Sequence, residues 1–247
     1  MSESKRNLLM KERIICLLIG YLFGCFMTAE IVVRKLTGRP ARELGTSGNP
    51  GMANVMANLG FKAGITVLIG DLMKTAAASV VSYLLFGEDI GKMALLYAGL
   101  GATLGHDFPF WMKFRGGKGV ASSSIAFVIF DPFWGLLANI AGMLVVFATK
   151  YLCIGGVVIP VFLGIIYTVF FNNIEALIIL IVFAALAFYC HFSKIAGIPS
   201  GKTERTDVIE ALRRRLNPGK LVLLLLTAIV IVTADAYFFG PLAGLLA

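Results

Sequence analysis

Long apolar runs dominate this chain, and their lengths match the thickness of a lipid bilayer. Continuous hydrophobic blocks lie at about residues 14–33, 63–86, 93–105, 120–149, 152–171, 174–190 and 221–246. About 20 apolar residues per helix cross the hydrocarbon core, whereas the strands of a membrane barrel alternate apolar and polar positions. The pattern therefore predicts an all-α fold, a polytopic helical integral membrane protein.

The block at 120–149 is too long for one span and contains a break signal. A helix of that length would reach about 45 Å, against a hydrocarbon core of about 30 Å. Asp131-Pro132 interrupts it, and proline lacks a backbone donor and disfavours helix at the preceding residue. We predict two helices, 120–130 and 133–149, of which the shorter cannot cross the bilayer unaided.

The distribution of basic residues supports this break. With it, loops 34–62, 107–119, 150–151 and 191–220 share one membrane face and hold 5, 3, 1 and 7 of the 22 Lys and Arg residues. Because basic residues concentrate in cytoplasmic loops, these loops are predicted to be cytoplasmic and the N-terminus external. The basic residues of the N-terminal tail fit this orientation less well.

Composition agrees with the membrane interpretation and excludes several other classes. The 247 residues are 58% hydrophobic and 15% charged, with a mean hydropathy of +0.87, far from a soluble domain. The net charge of +8 lies in loops, as in membrane proteins, so we expect no nucleic-acid partner. Four cysteines without a CxxC pair indicate no disulfide framework and no zinc site; no metal or other cofactor is expected.

The stretch GHDFPFWMKFRGGKGVASSS, residues 105–124, carries the densest polar chemistry. Cations and glycines precede the helix predicted from Val120: Lys113, Arg115, Gly116, Gly117, Lys118 and Gly119. Consecutive glycines can fold backbone amides into a concave array, and a helix N-terminus adds unpaired donors and partial positive charge. The stretch predicts an anion site suited to phosphate; a glycine turn with interfacial cations is the competing interpretation.

Other polar residues fall near the same membrane face. Ser47, Asn49 and Asn54 are small hydrogen-bonding residues in a glycine-rich loop, for which a plain connector is the competing interpretation. His106 and His191, the only histidines, can supply acid–base or hydrogen-bond chemistry near neutral pH, or structural hydrogen bonds.

Asp71 and Lys74 lie within the second apolar block. At a spacing of i, i+3 they share one helix face and can neutralise each other. Charged residues at membrane depth are functional candidates, but here a structural ion pair that braces a polar cavity is an equally good interpretation.

Together, these clusters resemble a known family. SGNPGMANV, GHDFPFWMKFRGGKGVAS and HFSKIAGIPSGKTE (191–204) are similar to the three cytoplasmic motifs of the bacterial acyl-phosphate:glycerol-3-phosphate acyltransferases of the PlsY type, and Asp71-x-x-Lys74 is similar to the signature of that family's second span. The resemblance covers roughly residues 20–205. It implies a seven-helix membrane core and, in this chain, an additional C-terminal span.

The resemblance also implies an activity and a set of site residues. Members transfer an acyl chain from acyl phosphate to the 1-hydroxyl of glycerol 3-phosphate, which gives lysophosphatidate for phospholipid synthesis. Carried across, Ser47 and His191 are catalytic, and the structural residues are Asp71, Lys74 and Glu204. Substrate contacts are expected from Gly48, Asn49, Asn54, His106, Lys113, Arg115, Gly116, Gly117, Lys118 and Gly119. No metal is implied.

Three departures from the family pattern leave an alternative open. Ala53 and Ala57 stand where the family has Thr and Arg, and Lys194 stands where it has Asn; one residue is also inserted before Glu204. Losing a charge-assisted arginine contact would cost about 1.5–3 kcal/mol; Lys194, Arg39 and Arg42 are candidate replacements. The alternative is a catalytically altered or inactive relative that binds a phospholipid or a protein partner.

The predicted organisation is therefore an acyltransferase-like membrane core at 1–205, followed by two further segments. An amphipathic interfacial helix is predicted at 206–220, because an apolar stripe lies beside three consecutive arginines there. A transmembrane segment is predicted at 221–247, which contains the last apolar block. We expect a multi-pass protein of the bacterial plasma membrane that contacts membrane lipids.

Overall fold

The computed structural model describes residues 3–206, and within this range the regular structure is helical. The α-helices are α1 Glu3–Gly24, α2 Thr28–Thr37, α3 Met52–Leu59, α4 Phe61–Ile90, α5 Met93–Asp107, α6 Val120–Phe130, α7 Pro132–Thr149, α8 Leu152–Phe170 and α9 Ile174–Ala196. Short 3₁₀ turns lie at Ala41–Glu43 and Phe110–Met112. The all-α membrane fold is confirmed.

The break in the long apolar block is confirmed. α6 ends at Phe130, and α7 begins at Pro132, where the missing backbone N–H costs nothing because the first helical turn has no acceptor for it. The Asp131 side chain caps α7 by accepting a hydrogen bond from Trp134 N at 3.3 Å. Asp131 Oδ2 also accepts from the buried Tyr167 hydroxyl at 2.8 Å, which ties α8 to this corner.

The apolar block 14–33 is interrupted, because the chain leaves the helix at residues 25–27. The carbonyls exposed by this break are paired by side chains. Trp111 Nε1 donates to Cys25 O at 2.8 Å, and Lys74 Nζ donates to Phe26 O at 2.9 Å. Since buried carbonyls need partners in a membrane, these two residues make the break tolerable.

α1 and α5 pack backbone against backbone. Gly20 and Gly24 of α1 face Gly101 and Gly105 of α5, each pair one turn apart. A Cβ on Gly101 would lie 2.1 Å from Leu17 O, and one on Gly20 would lie 2.1 Å from Ala98 O. Small residues let membrane helices approach this closely, so α5 is held at the centre of the bundle.

The described residues contain 5 candidate membrane spans by length and composition, if α1 and α2 are taken together. These are Leu9–Thr37, Phe61–Ile90, Pro132–Thr149, Leu152–Phe170 and Ile174–Ala196. α5 is 15 residues long and largely buried, and α6, with 11 residues, is too short to span. Apart from Thr206, the predicted segments 206–220 and 221–247 lie outside the described residues.

Candidate active site

The glycine stretch folds back onto the C-terminal end of α5. Gly116 N donates to Asp107 O at 2.8 Å, and Gly117 N donates to His106 O at 2.9 Å. These two amides are therefore not available to an anion, and the amide array predicted from the glycines is smaller than expected. The free donors are instead the first-turn amides of α6 from Val120 onward, which have no intrahelical acceptor.

The glycines are required by close packing. A Cβ on Gly117 would lie 2.0 Å from His106 Nε2, and one on Gly116 would lie 2.0 Å from His106 O. Gly119 caps α6 in the left-handed region at φ 64° and faces the Asp107 carboxylate. A side chain at any of these three glycines would push the glycine stretch away from α5 and displace the start of α6.

His106 lies in a buried polar network with α4. Lys74 Nζ is 2.8 Å from His106 Nδ1 and 2.9 Å from Asp71 Oδ1, and all three side chains are at most 5% exposed. The angle at Asp71 is poor for a hydrogen bond, so the contact is an ion pair by distance. Asp71 and Lys74 thus neutralise each other directly behind the glycine stretch.

His191 lies near the C-terminal end of α9, close to Gly156 of α8. Its Nδ1 is 2.9 Å from Ala187 O, and the ring is 4% exposed. Gly156 of α8 makes room for it, since a Cβ there would lie 3.3 Å from His191 Nε2 and 3.0 Å from Val120 Cγ2. His191 is therefore within reach of the first turn of α6.

The cations near the glycine stretch differ in their environment. Burial and the nearby charge of Lys194 hold the pKa of the Lys118 ammonium below its usual range. Lys113 and Arg115 are exposed on the loop before it. Arg42 Nη1 donates to Arg115 O at 2.8 Å, which joins the loop of the first motif to the glycine stretch.

The first motif forms a turn beside Arg42. Ser47 is exposed, and its Oγ accepts weakly from Asn49 N at 3.4 Å. Gly48, at φ 54°, allows Arg42 O to approach, since a Cβ would lie 2.7 Å from that oxygen. Ser47, Gly48 and Asn49 therefore lie on the same loop cluster as the glycine stretch.

Asn54 makes hydrogen bonds within its own loop, and its predicted role in substrate contact stays a prediction. Its Nδ2 donates to Leu44 O at 2.9 Å, and its Oδ1 accepts from Asn58 Nδ2 at 3.1 Å. Both ends of the amide are thus used within the fold. Ala53 and Ala57 share the exposed face of α3.

Glu204 is exposed, and within residues 3–206 the structure gives its side chain no hydrogen bond or ion pair. Its assigned structural role therefore rests on the resemblance alone. The neighbouring segment is held by other groups: Thr206 N donates to Lys150 O at 2.7 Å, and the Arg205 guanidinium lies 5.9 Å from the centre of the Tyr151 ring.

Sequence reasoning missed three residues that border this site. Asp107 is buried, and its Oδ2 accepts from Cys190 Sγ at 3.3 Å, whereas Oδ1 has no partner among the described residues. Gly156 supports His191 from α8. Asp107 lies within the polar stretch and could have been singled out, but nothing around Gly156 or Cys190 distinguishes them in sequence.

Comparisons with known proteins agree on one family. The family described as glycerol-3-phosphate acyltransferase matches residues 14–201. A Lactobacillus johnsonii protein named glycerol-3-phosphate acyltransferase 1 is 38% identical over 83% of this chain and 98% of its own length. A Thermoanaerobacter protein named glycerol-3-phosphate acyltransferase is 32% identical over 77% of this chain and 96% of its own.

A solved structure shares the fold. The crystal structure of PlsY, an integral membrane glycerol 3-phosphate acyltransferase in its glycerol 3-phosphate form, superposes with a TM-score of 0.70. The sequences are 26% identical, and the match covers 81% of this chain and 98% of that one. The chain belongs to the glycerol-3-phosphate acyltransferase family.

Proposed function

We propose that this protein is an acyltransferase that moves an acyl chain from acyl phosphate to glycerol 3-phosphate and so forms lysophosphatidate for phospholipid synthesis. The observation that carries the proposal is the meeting of three separate polar motifs. Arg42 joins the Ser47 loop to the glycine stretch, and Gly156 brings His191 against the first turn of α6. Family membership supports the same reaction.

The glycerol 3-phosphate dianion binds at the start of α6 in this proposal. First-turn amides and the positive end of the helix dipole favour a phosphate there, and Lys118 adds a full charge. His191 then lies close enough to receive a hydrogen bond from the 1-hydroxyl. Lys113 and Arg115, both exposed, contribute to attraction of the anion and not to its close coordination.

The acyl donor binds with its phosphate near Ser47, Gly48 and Asn49 and its chain between the helices. The 1-hydroxyl oxygen attacks the acyl carbon, the bond from that carbon to the phosphate oxygen breaks, and phosphate leaves with the electron pair. Acyl phosphate is an activated anhydride, so holding the two substrates side by side supplies much of the acceleration. Arg42, which lies between the two loops, supplies the positive charge for the donor phosphate that the alanine at position 57 cannot supply.

The protein acts in the bacterial plasma membrane, with this site on the cytoplasmic face, where glycerol 3-phosphate is dissolved. The basic residues of loops 34–62, 107–119, 150–151 and 191–220 support this orientation. Exposed Phe110, Trp111 and Phe114 beside the site fit the aromatic composition of a membrane interface.

The test is an acyl-transfer assay with purified protein and radiolabelled glycerol 3-phosphate. Acyl phosphate and acyl thioesters are offered side by side, and lysophosphatidate is measured. We expect product from acyl phosphate and a large loss in His191→Ala. No product from any donor, with glycerol 3-phosphate binding retained, would favour a binding protein instead.

The departures from the family pattern are tested in the same assay with a double variant, Ala57→Arg with Lys194→Asn. If Arg42 and Lys194 already supply the missing charge, this variant gains less than about tenfold in kcat/KM. A much larger gain would show that the unmodified site is impaired. Glu43→Gln, an exposed change on the same loop, is the control.

A further inference from the structure

The contacts of Lys74 fix where the proton of His106 lies. An ammonium group has three donors and no lone pair, and Lys74 Nζ lies 2.9 Å from Phe26 O and 2.9 Å from Asp71 Oδ1. Its remaining close neighbour is His106 Nδ1 at 2.8 Å. His106 Nδ1 also lies 3.5 Å from Asp71 Oδ1, but its contact with Lys74 is the shorter one. With Asp71 beside it Lys74 is the charged donor, so we infer that Nδ1 accepts and that the neutral His106 ring carries its proton on Nε2.

His191 has the opposite arrangement. The neighbour of its Nδ1 is the Ala187 carbonyl oxygen at 2.9 Å, which can only accept. Nδ1 therefore carries the proton, and Nε2 of the neutral ring has a free lone pair. That nitrogen faces Gly156 in the gap next to Val120.

We propose that the two histidines of this chain are locked in opposite tautomers, so that the site has one imidazole N–H donor, at His106 Nε2, and one imidazole acceptor, at His191 Nε2. Lys74 is the positioning residue that sets the first tautomer. The roles assigned to the two nitrogens rest on the proposed acyl transfer, whereas the tautomers themselves do not.

The two nitrogens serve different parts of the reaction. His106 Nε2 lies against Gly117, with no hydrogen-bond partner among residues 3–206, and donates to a phosphate oxygen of glycerol 3-phosphate. His191 Nε2 accepts the hydrogen of the 1-hydroxyl, takes its proton as the acyl–oxygen bond forms, and returns it to the departing phosphate. The reaction then needs no proton donor, proton acceptor or reactant beyond His191 and the two substrates.

The charged groups around the two rings differ. His106 faces Lys74 and Asp71 of α4 and its own neighbour Asp107, so one cation and two carboxylates surround it. His191 is buried and faces Lys118, and burial together with the nearby cation opposes a second positive charge on the ring.

The direct test is ¹⁵N NMR of the full-length protein labelled at histidine, in lipid nanodiscs at neutral pH. The chain has two histidines, so His106→Gln and His191→Gln each leave one ring to be observed. We expect the Nε2–H tautomer at His106 and the Nδ1–H tautomer at His191. The same tautomer at both rings, or a doubly protonated ring, would overturn the proposal, whether or not the protein transfers acyl groups.

Lys74→Met tests the positioning role. Removing the ammonium leaves the Asp71 carboxylate, 3.5 Å from His106 Nδ1, as the remaining charged neighbour, so this ring should gain a proton on Nδ1 while His191 keeps its signal. A purely structural Lys74 would disturb both rings together or neither, and either result would contradict the proposal.

Kinetics separate the two nitrogens of His106. Glutamine places an amide N–H near the position of Nε2, and asparagine near that of Nδ1. We expect His106→Asn to raise KM for glycerol 3-phosphate by about tenfold or more relative to His106→Gln, as for one lost hydrogen bond to a charged group. Equal KM values in the two folded variants would show that Nε2 does not bind this substrate.

Discussion

Single glycines near the site are required because a side chain at these positions would collide with neighbouring groups. Gly117 leaves room for the His106 ring, and Gly156 leaves room for His191. Neither requires a positive φ, so close approach alone explains them. Gly119 differs, because it also turns the chain through the left-handed region at φ 64° to start α6.

Gly156→Ala should weaken catalysis without unfolding the protein. The new Cβ would lie 3.2 Å from His191 Cε1, so the ring must shift by a few tenths of an ångström. We expect kcat to fall by roughly tenfold, since small displacements of reacting groups are costly. The control is Gly164→Ala on the same helix, where a Cβ meets nothing within 4 Å. Equal activity in both variants would contradict the placement of His191.

Lys118 predicts a pH dependence. Burial and Lys194 lower the pKa of the Lys118 ammonium, so as pH rises its charge is lost earlier than that of a free lysine. We expect kcat/KM for glycerol 3-phosphate, which reports the free enzyme, to fall as pH rises through that lowered pKa.

Two variants check this assignment. Lys194→Asn removes the neighbouring charge and should move the alkaline decline to higher pH, while Lys118→Arg should abolish it, because arginine stays protonated. A decline that stays in place in both variants would belong to another group.

At the level of single residues, the sequence indicates a chemistry but not the contacts. Glycines and Lys118 next to a helix start predict an anion site, and that site stays a prediction. The sequence could not reveal that Gly116 N and Gly117 N already donate to α5, because this depends on where α5 ends in space. The hydrogen bonds of Asn54 were not predictable for the same reason: its partners Leu44 and Asn58 become neighbours only in the folded loop.

Among the helices, two breaks show when the sequence can predict a boundary. The break at Asp131-Pro132 was predicted because proline acts locally and disfavours helix in any context. The break at 25–27 contains no proline and lies within the apolar block 14–33. It is held by Trp111 and Lys74, which are distant in sequence, so only tertiary structure could reveal it.

The contact between α1 and α5 gives a prediction about stability. Gly20→Ala and Gly101→Ala each place a Cβ 2.1 Å from a backbone oxygen of the other helix, and backbone cannot move aside like a side chain. We expect each change to lower stability by on the order of 1–3 kcal/mol, despite the better helix propensity of alanine.

Thermal unfolding in detergent measures this effect. Gly164→Ala, which adds the same methyl group in open space on α8, should leave the midpoint unchanged or slightly raised. If Gly20→Ala behaves like Gly164→Ala, the close approach of α1 and α5 is incorrect.

For the molecule as a whole, the orientation in the membrane can be tested by cysteine labelling. Asp89 and Lys202 are exposed at opposite ends of the bundle. We expect Asp89→Cys to react with an impermeant maleimide in intact cells and Lys202→Cys to react only after the membrane is opened. The unmodified chain, whose cysteines are buried or half-buried, gives the background. Labelling in the reverse pattern would place the site outside the cell.

The glycine contact between α1 and α5 also sets an order of assembly during translation. α1 leaves the ribosome first, yet the groups that meet Gly20 and Gly24 lie at residues 98–102 of α5. The glycine face of α1 therefore has no α5 partner until α2, α3 and α4 have been synthesised. The contact of Lys74 with His106 likewise cannot form until α5 has been synthesised. Both contacts can therefore form only after the chain has been synthesised to residue 106.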